Sequence, residues 1–137
     1  MEEQIWAIWA EIDDSEGRTL LETGTDAMQR RAYGRALESF NALVVRDPEF
    51  AEGWNKRATL FYLMGDYKSS VLDIEKTLAL EPRHFGALSG LGLIYIAVDK
   101  PEAAIRSFEA ALAIYPKLAS AKAHVDMLRA MTAGDPT

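Results

Sequence analysis

Residues 85–118 read FGALSGLGLIYIAVDKPEAAIRSFEAALAIYPKL, and the proline near their end is the last of three prolines that stand 34 residues apart. The three are Pro48, Pro82 and Pro116. A fixed period of this size indicates one supersecondary unit that is copied along the chain and stacked on its neighbours. Stacked helical units usually present a surface, so the period also argues against a buried active site.

Side chains at fixed distances before each proline keep their size in all three copies. Small residues stand 24 and 12 positions before it: Gly24, Ala58, Gly92, Ala36, Ser70 and Ala104. Bulky residues stand eight positions before it: Phe40, Ile74 and Phe108. Small residues let two helices approach closely and bulky residues fill the space beside them. The register therefore predicts closely packed helix pairs, with turns at 64–66 and 98–101, where Gly65 and Pro101 break the helical spacing.

This register resembles the tetratricopeptide repeat (TPR) pattern, and the third copy carries the pattern best. Its matching residues are Leu88, Leu91, Gly92, Tyr95, Ala104, Phe108, Ala111 and Pro116. The resemblance implies an all-α TPR superhelix, an α-α solenoid of three repeats. The second copy departs from the pattern, with Arg57 where Leu is usual and Thr77 where Ala is usual.

The resemblance also sets the expected domain organisation, a single TPR domain over residues 1–137. An acidic, Trp-containing helix and a hinge occupy 1–16, and the repeats occupy 17–50, 51–84 and 85–118. A capping helix follows at 119–132, and the tail at 133–137 is expected to be disordered.

The N-terminal stretch IWAIWAEI has large apolar side chains that spread over roughly 160° of a helix. They are Ile5, Trp6, Ile8, Trp9 and Ile12. Extended backwards, the register places this segment in the second-helix slot of a repeat zero. Two interpretations are open: the segment caps repeat one, or it presents an apolar edge through which the chain self-associates as a dimer or domain swap.

In the TPR family, the first helix of each repeat lines a concave groove that holds an extended or helical peptide. The groove candidates implied by the resemblance are Arg18, Thr25, Met28, Asn55, Thr59, Tyr62, Leu63, Ser89, Leu93 and Ile96. One TPR subset grips the C-terminal carboxylate of a chaperone with Lys, Arg and Asn side chains. This chain has Leu21, Thr25, Lys56, Gly86 and Gly90 in those slots, which argues against that specificity.

Composition narrows the classes of partner. The net charge is −6, and residues 1–16 hold six acidic and no basic residues, so the repeats are neutral overall. Such a chain is a poor match for nucleic acid. It contains no cysteine, which excludes disulfides and thiolate chemistry, and no apolar run approaches the ~20 residues of a membrane span. The compartment stays open: cytoplasmic, or periplasmic if a leader was removed.

Catalytic groupings are absent from the sequence pattern. His84 and His124 stand 40 residues apart without the spacing of metal ligands, and His84 is expected to be exposed in a loop between repeats. We therefore expect no enzyme activity, metal or cofactor. The leading hypothesis is an adaptor or scaffold that binds a protein or peptide in the groove. The alternative is an assembly module that self-associates through the Trp6 and Trp9 helix.

Overall fold

The computed structural model describes residues 14–133, and every regular element in this range is an α-helix. The helices are α1 Ser15–Gln29, α2 Tyr33–Arg46, α3 Ala51–Leu63, α4 Tyr67–Leu80, α5 Phe85–Ala97, α6 Pro101–Ile114 and α7 Ala119–Ala133. The predicted all-α fold class is therefore confirmed. α1 begins at Ser15, so the second half of the expected hinge belongs to this helix.

The contacts of the chain fall into two compact units. The first unit ends at Pro82 and contains α1–α4, and the second begins at Arg83 and contains α5–α7. In a repeat chain each copy packs mainly on its neighbours in sequence. Such a chain lacks a single central core, which explains why its contacts separate into local units.

A left-handed residue ends the first helix of each pair. The three residues are Arg31 at φ 63°, Gly65 at φ 79° and Asp99 at φ 60°. The backbone N–H of the next residue then donates a hydrogen bond to a carbonyl of the last helical turn, such as Asp66 N–H to the Phe61 carbonyl at 2.9 Å. Only the second copy has glycine here, the residue that adopts this conformation without strain.

The first unit buries the side chains that the register assigns to its core. Ala36, Phe40 and Leu43 are inaccessible, and they pack with Leu60 and Ala27. A Cβ added at Gly24 would collide with the Phe40 ring. Glycine at this position therefore allows α1 to approach α2 closely, as the sequence predicts.

The second unit repeats the same contact between α5 and α6. A Cβ added at Gly92 would lie 2.7 Å from Cε2 of Phe108, whose side chain is 1% exposed. On its other side the Phe108 ring stacks on His124 of α7, with ring centroids 4.8 Å apart. α7 buries Ala121, Val125 and Leu128.

The middle pair, α3 and α4, is held by a polar group that the sequence pattern does not reveal. Arg57 donates from Nε and Nη2 to the two carboxylate oxygens of Asp73, at 2.7 and 2.9 Å. Its Nη1 donates to Asn41 at 3.0 Å, and the guanidinium lies 5.1 Å from the Trp54 ring centroid. The atypical Thr77 is fully buried and donates to the Asp73 carbonyl at 2.7 Å. Both departures from the TPR pattern thus belong to one hydrogen-bonded network.

Candidate protein-interaction surfaces

The predicted groove residues of the first unit lie on two helices that contact each other, α1 and α3. We define the α1–α3 face as Arg18, Thr25, Met28, Asn55, Thr59, Tyr62 and Leu63. Arg18, Thr59 and Leu63 are exposed, and the other four are partly buried. The Tyr62 ring also contacts Tyr67, with centroids 5.8 Å apart. This face thus combines accessible apolar groups with hydroxyl and amide groups.

The side chains beside this face are more buried than an open groove would require. Leu21 is 9% exposed and belongs to the core, and Glu52 is 4% exposed. Nδ2 of Asn55 donates to the Glu52 carboxylate at 2.9 Å. The amide donor of Asn55 is therefore already engaged within α3.

The second unit places Ser89, Leu93 and Ile96 on α5, all partly buried. The hydroxyl oxygen of Ser89 is buried and has no hydrogen-bond partner. Ile96 borders a cavity of about 460 Å³ that is also lined by residues 99–102 and by Leu128, Met131 and Thr132. α5 and α7 therefore form one surface at this point.

Sequence reasoning missed the contribution of α7 to that surface. Extending the 34-residue register by one more copy puts Met127 at the position of the predicted groove residue Leu93, and Met131 at the position of Ala97, which follows the predicted groove residue Ile96. They are 46% and 64% exposed. The signal was present in the sequence, but 119–132 was interpreted only as a solvating cap.

A charged cluster surrounds the start of α1. Asp14 caps the helix by accepting from the Glu16 N–H, and Nε and Nη2 of Arg46 both donate to its carboxylate. The hydrogen bond from Arg46 lowers the pKa of Asp14 to about 2. Burial, followed by the charge of Asp14, raises the pKa of Asp47. A hollow of about 470 Å³ lined by residues 46–50 lies in the same region of the first unit.

The helices at the two ends of the described chain carry polar side chains where inner helices are apolar. Thr19 and Asp26 of α1 are exposed, and they are equivalent to the buried Gly53 and Leu60 of α3. Asp26 pairs with Arg30 at 3.0 Å. On α7, Lys122 pairs with Asp126 at 3.4 Å, and Arg129 pairs with Glu109 at 2.5 Å.

Other predictions have different outcomes. The self-association candidates Ile5, Trp6, Ile8, Trp9 and Ile12 lie outside the described residues, as does the tail after Ala133. The prediction for His84 was wrong: the residue is fully buried, because its Nδ1 caps α5 by accepting from the Ala87 N–H at 3.0 Å.

Two kinds of feature are absent from residues 14–133. No group of three or more His, Cys, Asp or Glu side chains in this range is arranged to hold a metal ion. None of its helices is both long and apolar enough to cross a membrane.

Known proteins share both the sequence and the fold. A TPR repeat-containing protein of Rhizobium etli is 35% identical over 129 residues, which are 94% of this chain. The chain spans 63% of the length of that relative.

Solved structures provide an independent comparison. The first TPR of Spaghetti (RPAP3), bound to the HSP90 peptide SRMEEVD, superimposes with a TM-score of 0.81 at 20% identity. That match covers 90% of this chain and 98% of that one. MamA gives a TM-score of 0.78 at 22% identity, covering 88% of this chain and 71% of that chain.

The family model for the tetratricopeptide repeat matches residues 21–73 and 55–119. These matches cover the helix pairs described above and most of the chain. TPR domains are generally non-catalytic modules for protein–protein interaction. The register, the paired helices and the family model agree, and the chain belongs to the tetratricopeptide repeat family.

Proposed function

We propose that this protein is a non-enzymatic adaptor that binds a peptide or helix on its first-helix surfaces, the α1–α3 face and the α5 residues Ser89, Leu93 and Ile96. The observation that carries the proposal is the accessibility of these positions. Packing buries the core positions of the register but leaves Leu63 46% exposed and Thr59 exposed. The peptide-bound state of the RPAP3 domain, which has the same fold, supports this use of the surface.

The ligand differs in chemistry from the acidic peptide in that neighbour. A peptide carboxylate needs cationic donors, and this chain has Leu21 and Thr25 where the chaperone-binding subset has Lys and Asn. The apolar groups Met28, Tyr62 and Leu63 instead suit a ligand anchored by apolar side chains, with hydroxyl and amide groups beside them for its backbone.

A selection of random displayed peptides on the full chain tests the proposal. Peptides recovered on the wild type should lose at least about tenfold in affinity for the Leu63→Asp variant, because a charge would then lie in the apolar contact. Tyr62→Ala and Leu93→Asp should weaken binding in the same way. Helical content, followed by circular dichroism, should not change for Leu63→Asp.

Leu72→Asp is the matched control, because Leu72 of α4 is 58% exposed and lies on a second helix of the same unit. This variant should bind the recovered peptides as tightly as the wild type. Equal affinity for Leu63→Asp, Leu93→Asp and wild type would rule out both first-helix surfaces, whatever else the protein binds.

A further inference from the structure

We propose that residues 5–12 of this chain dock on the α1–α3 face of the same molecule and compete with any partner for it. The occupant is therefore part of the protein itself. This docking uses the same surface as the proposed function, but it is tested independently, since it is measured without a peptide ligand.

Exposure of this segment to water is unfavourable in free energy. It carries five large apolar side chains, and the removal of such side chains from water is favourable. The spacing of these side chains predicts one apolar side of a helix. A surface within reach that accepts apolar groups will therefore bind it.

α1 lacks an apolar surface on which the helix of a preceding repeat could pack. In α3 the equivalent surface is apolar: a Cβ added at Gly53 would lie 3.3 Å from Leu43 of the preceding helix, and Leu60 is fully buried. The equivalent residues of α1 are Thr19 and Asp26, both exposed. Packing Trp and Ile side chains there would strip water from Asp26, whose carboxylate pairs with Arg30. This polarity argues against the interpretation of the segment as a cap on repeat one.

The α1–α3 face lies within reach of the segment. Asp14 caps α1, and its carboxylate is held by Arg46 of α2. As a helix, the segment rises about 9 Å from Trp6 to Ile12, and the two further residues to Asp14 add at most about 7 Å. Trp6 can therefore lie about 16 Å from Asp14, which along α1 is the level of Thr25. The segment can turn back at Asp14 and place Trp6 near Thr25 on the α1–α3 face.

The α1–α3 face also fits the segment in its chemistry. Trp presents a large apolar surface with one N–H donor, and this face pairs Met28, Tyr62 and Leu63 with hydroxyl acceptors on Thr25 and Thr59. By contrast, the hollow at residues 46–50 is lined by Arg46, Asp47 and Glu49. A short tether gives the segment an effective concentration near the millimolar range, so a partner must displace it.

Cysteine cross-linking tests the docking, because the natural chain contains no cysteine. Trp6→Cys is combined with Thr59→Cys on the α1–α3 face, leaving Trp9 in place as an apolar anchor. Mild oxidation should produce an intramolecular disulfide, seen as faster migration on a non-reducing gel that dithiothreitol reverses. The matched pairs Trp6→Cys with Leu72→Cys and Trp6→Cys with Asp26→Cys should cross-link at least about tenfold more slowly, since neither site lies on this face.

Each other result overturns the proposal. Faster cross-linking to Asp26→Cys would place the segment on the outer side of α1 as a cap. Equal rates at all three sites would show that it docks nowhere. A disulfide-linked dimer, formed also on mixing the two single-cysteine variants, would assign the surface to a second copy. As an independent readout, Trp6→Ala with Trp9→Ala should raise the affinity of peptides selected on the wild type by at least about tenfold, and unchanged affinity would contradict competition.

Discussion

The middle helix pair, α3 and α4, differs from the pairs α1–α2 and α5–α6 in how its two helices are held together. The outer pairs place a glycine against a phenylalanine, Gly24 with Phe40 and Gly92 with Phe108. The middle pair has Ala58 and Ile74 in those slots and adds the ion pair of Arg57 with Asp73. Equivalent positions thus fill the space between paired helices in every copy, but with different side chains: glycine and phenylalanine in the outer pairs, alanine and isoleucine in the middle pair.

Removing Asp73 should produce the largest loss of stability. The Asp73 side chain is 5% exposed and that of Arg57 is 19% exposed. Asp73→Ala leaves a largely desolvated guanidinium without its partner, so the free energy of unfolding should fall by about 3 kcal/mol. Urea denaturation measures the change. Asp126→Ala, which breaks an exposed pair, is the control and should cost less than about 1 kcal/mol. Similar losses for both variants would show that the middle pair does not depend on its charges.

Replacing both partners separates the cost of breaking the ion pair from its net contribution. Arg57→Leu restores the usual TPR residue, and combined with Asp73→Ala it leaves no buried charge. The double variant should recover most of the stability that Asp73→Ala loses. A double variant as unstable as the single one would mean that the ion pair contributes more than an apolar contact.

The sequence predicted the outer pairs better than the middle one, for a physical reason. A small residue packed against a large one is a size pattern that recurs with the period, so the repeat positions of Gly92 and Phe108 predict their contact. The partner of Arg57 lies 16 residues away, and no pattern in one sequence selects Asp73 over other acidic side chains. The same limit applies to the candidate surface: the register predicted the α5 residues, but treating 119–132 as a cap hid Met131.

Adding a single methyl group at the glycine should destabilise an outer pair. In Gly92→Ala the new Cβ would lie 2.7 Å from the Phe108 ring, and the cost of overpacking is about 1–3 kcal/mol, partly offset by about 1 kcal/mol of helix propensity. We expect a net loss of about 1 kcal/mol in the free energy of unfolding. Gly34→Ala is the control, because nothing lies within 4 Å of its added Cβ, and this variant should be neutral or slightly stabilised.

Phe108→Ile tests whether the side chains that fill the space in the middle pair can also fill it in an outer pair. Combined with Gly92→Ala, it reproduces the Ala–Ile combination of α3 and α4. The double variant should be more stable than the two single losses added together predict, as a double-mutant cycle from denaturation midpoints would show. Strict additivity would mean that the two positions do not share one volume.

The converse change in the middle pair should have an effect of similar size but of a different origin. Ala58 already has its Cβ and is 2% exposed, so Ala58→Gly removes a packed methyl group and about 1 kcal/mol of helix propensity. We expect a loss of about 1–2 kcal/mol that Ile74→Phe partly reverses by filling the vacated space. A gain in stability on Ala58→Gly alone would show that the middle pair is overpacked.

The smallest effect concerns how two helices begin, because α1 and α4 are both capped by an aspartate whose charge is held by different groups. Arg46 lowers the pKa of Asp14 to about 2, whereas hydrogen bonds from Ser69 lower the pKa of Asp66. Since both folded-state pKa values lie below the ordinary value of 3.8, each carboxylate stabilises the fold above about pH 4 and loses this contribution as the pH falls through its folded pKa. Asp47 has a raised pKa and acts in the opposite direction, because burial, followed by the charge of Asp14, favours its protonated form.

Carboxyl-carbon NMR titration separates the two caps. In Arg46→Ala the pKa of Asp14 should rise from about 2 towards 3.8 while that of Asp66 stays where it is, and Ser69→Ala should raise only the pKa of Asp66. Arg46 also lowers the pKa of Asp47, so its loss should move that group further upward. If Asp14 kept its low pKa without Arg46, the backbone N–H of Glu16 and the hydrogen bond with Asp47 would have to stabilise its charge.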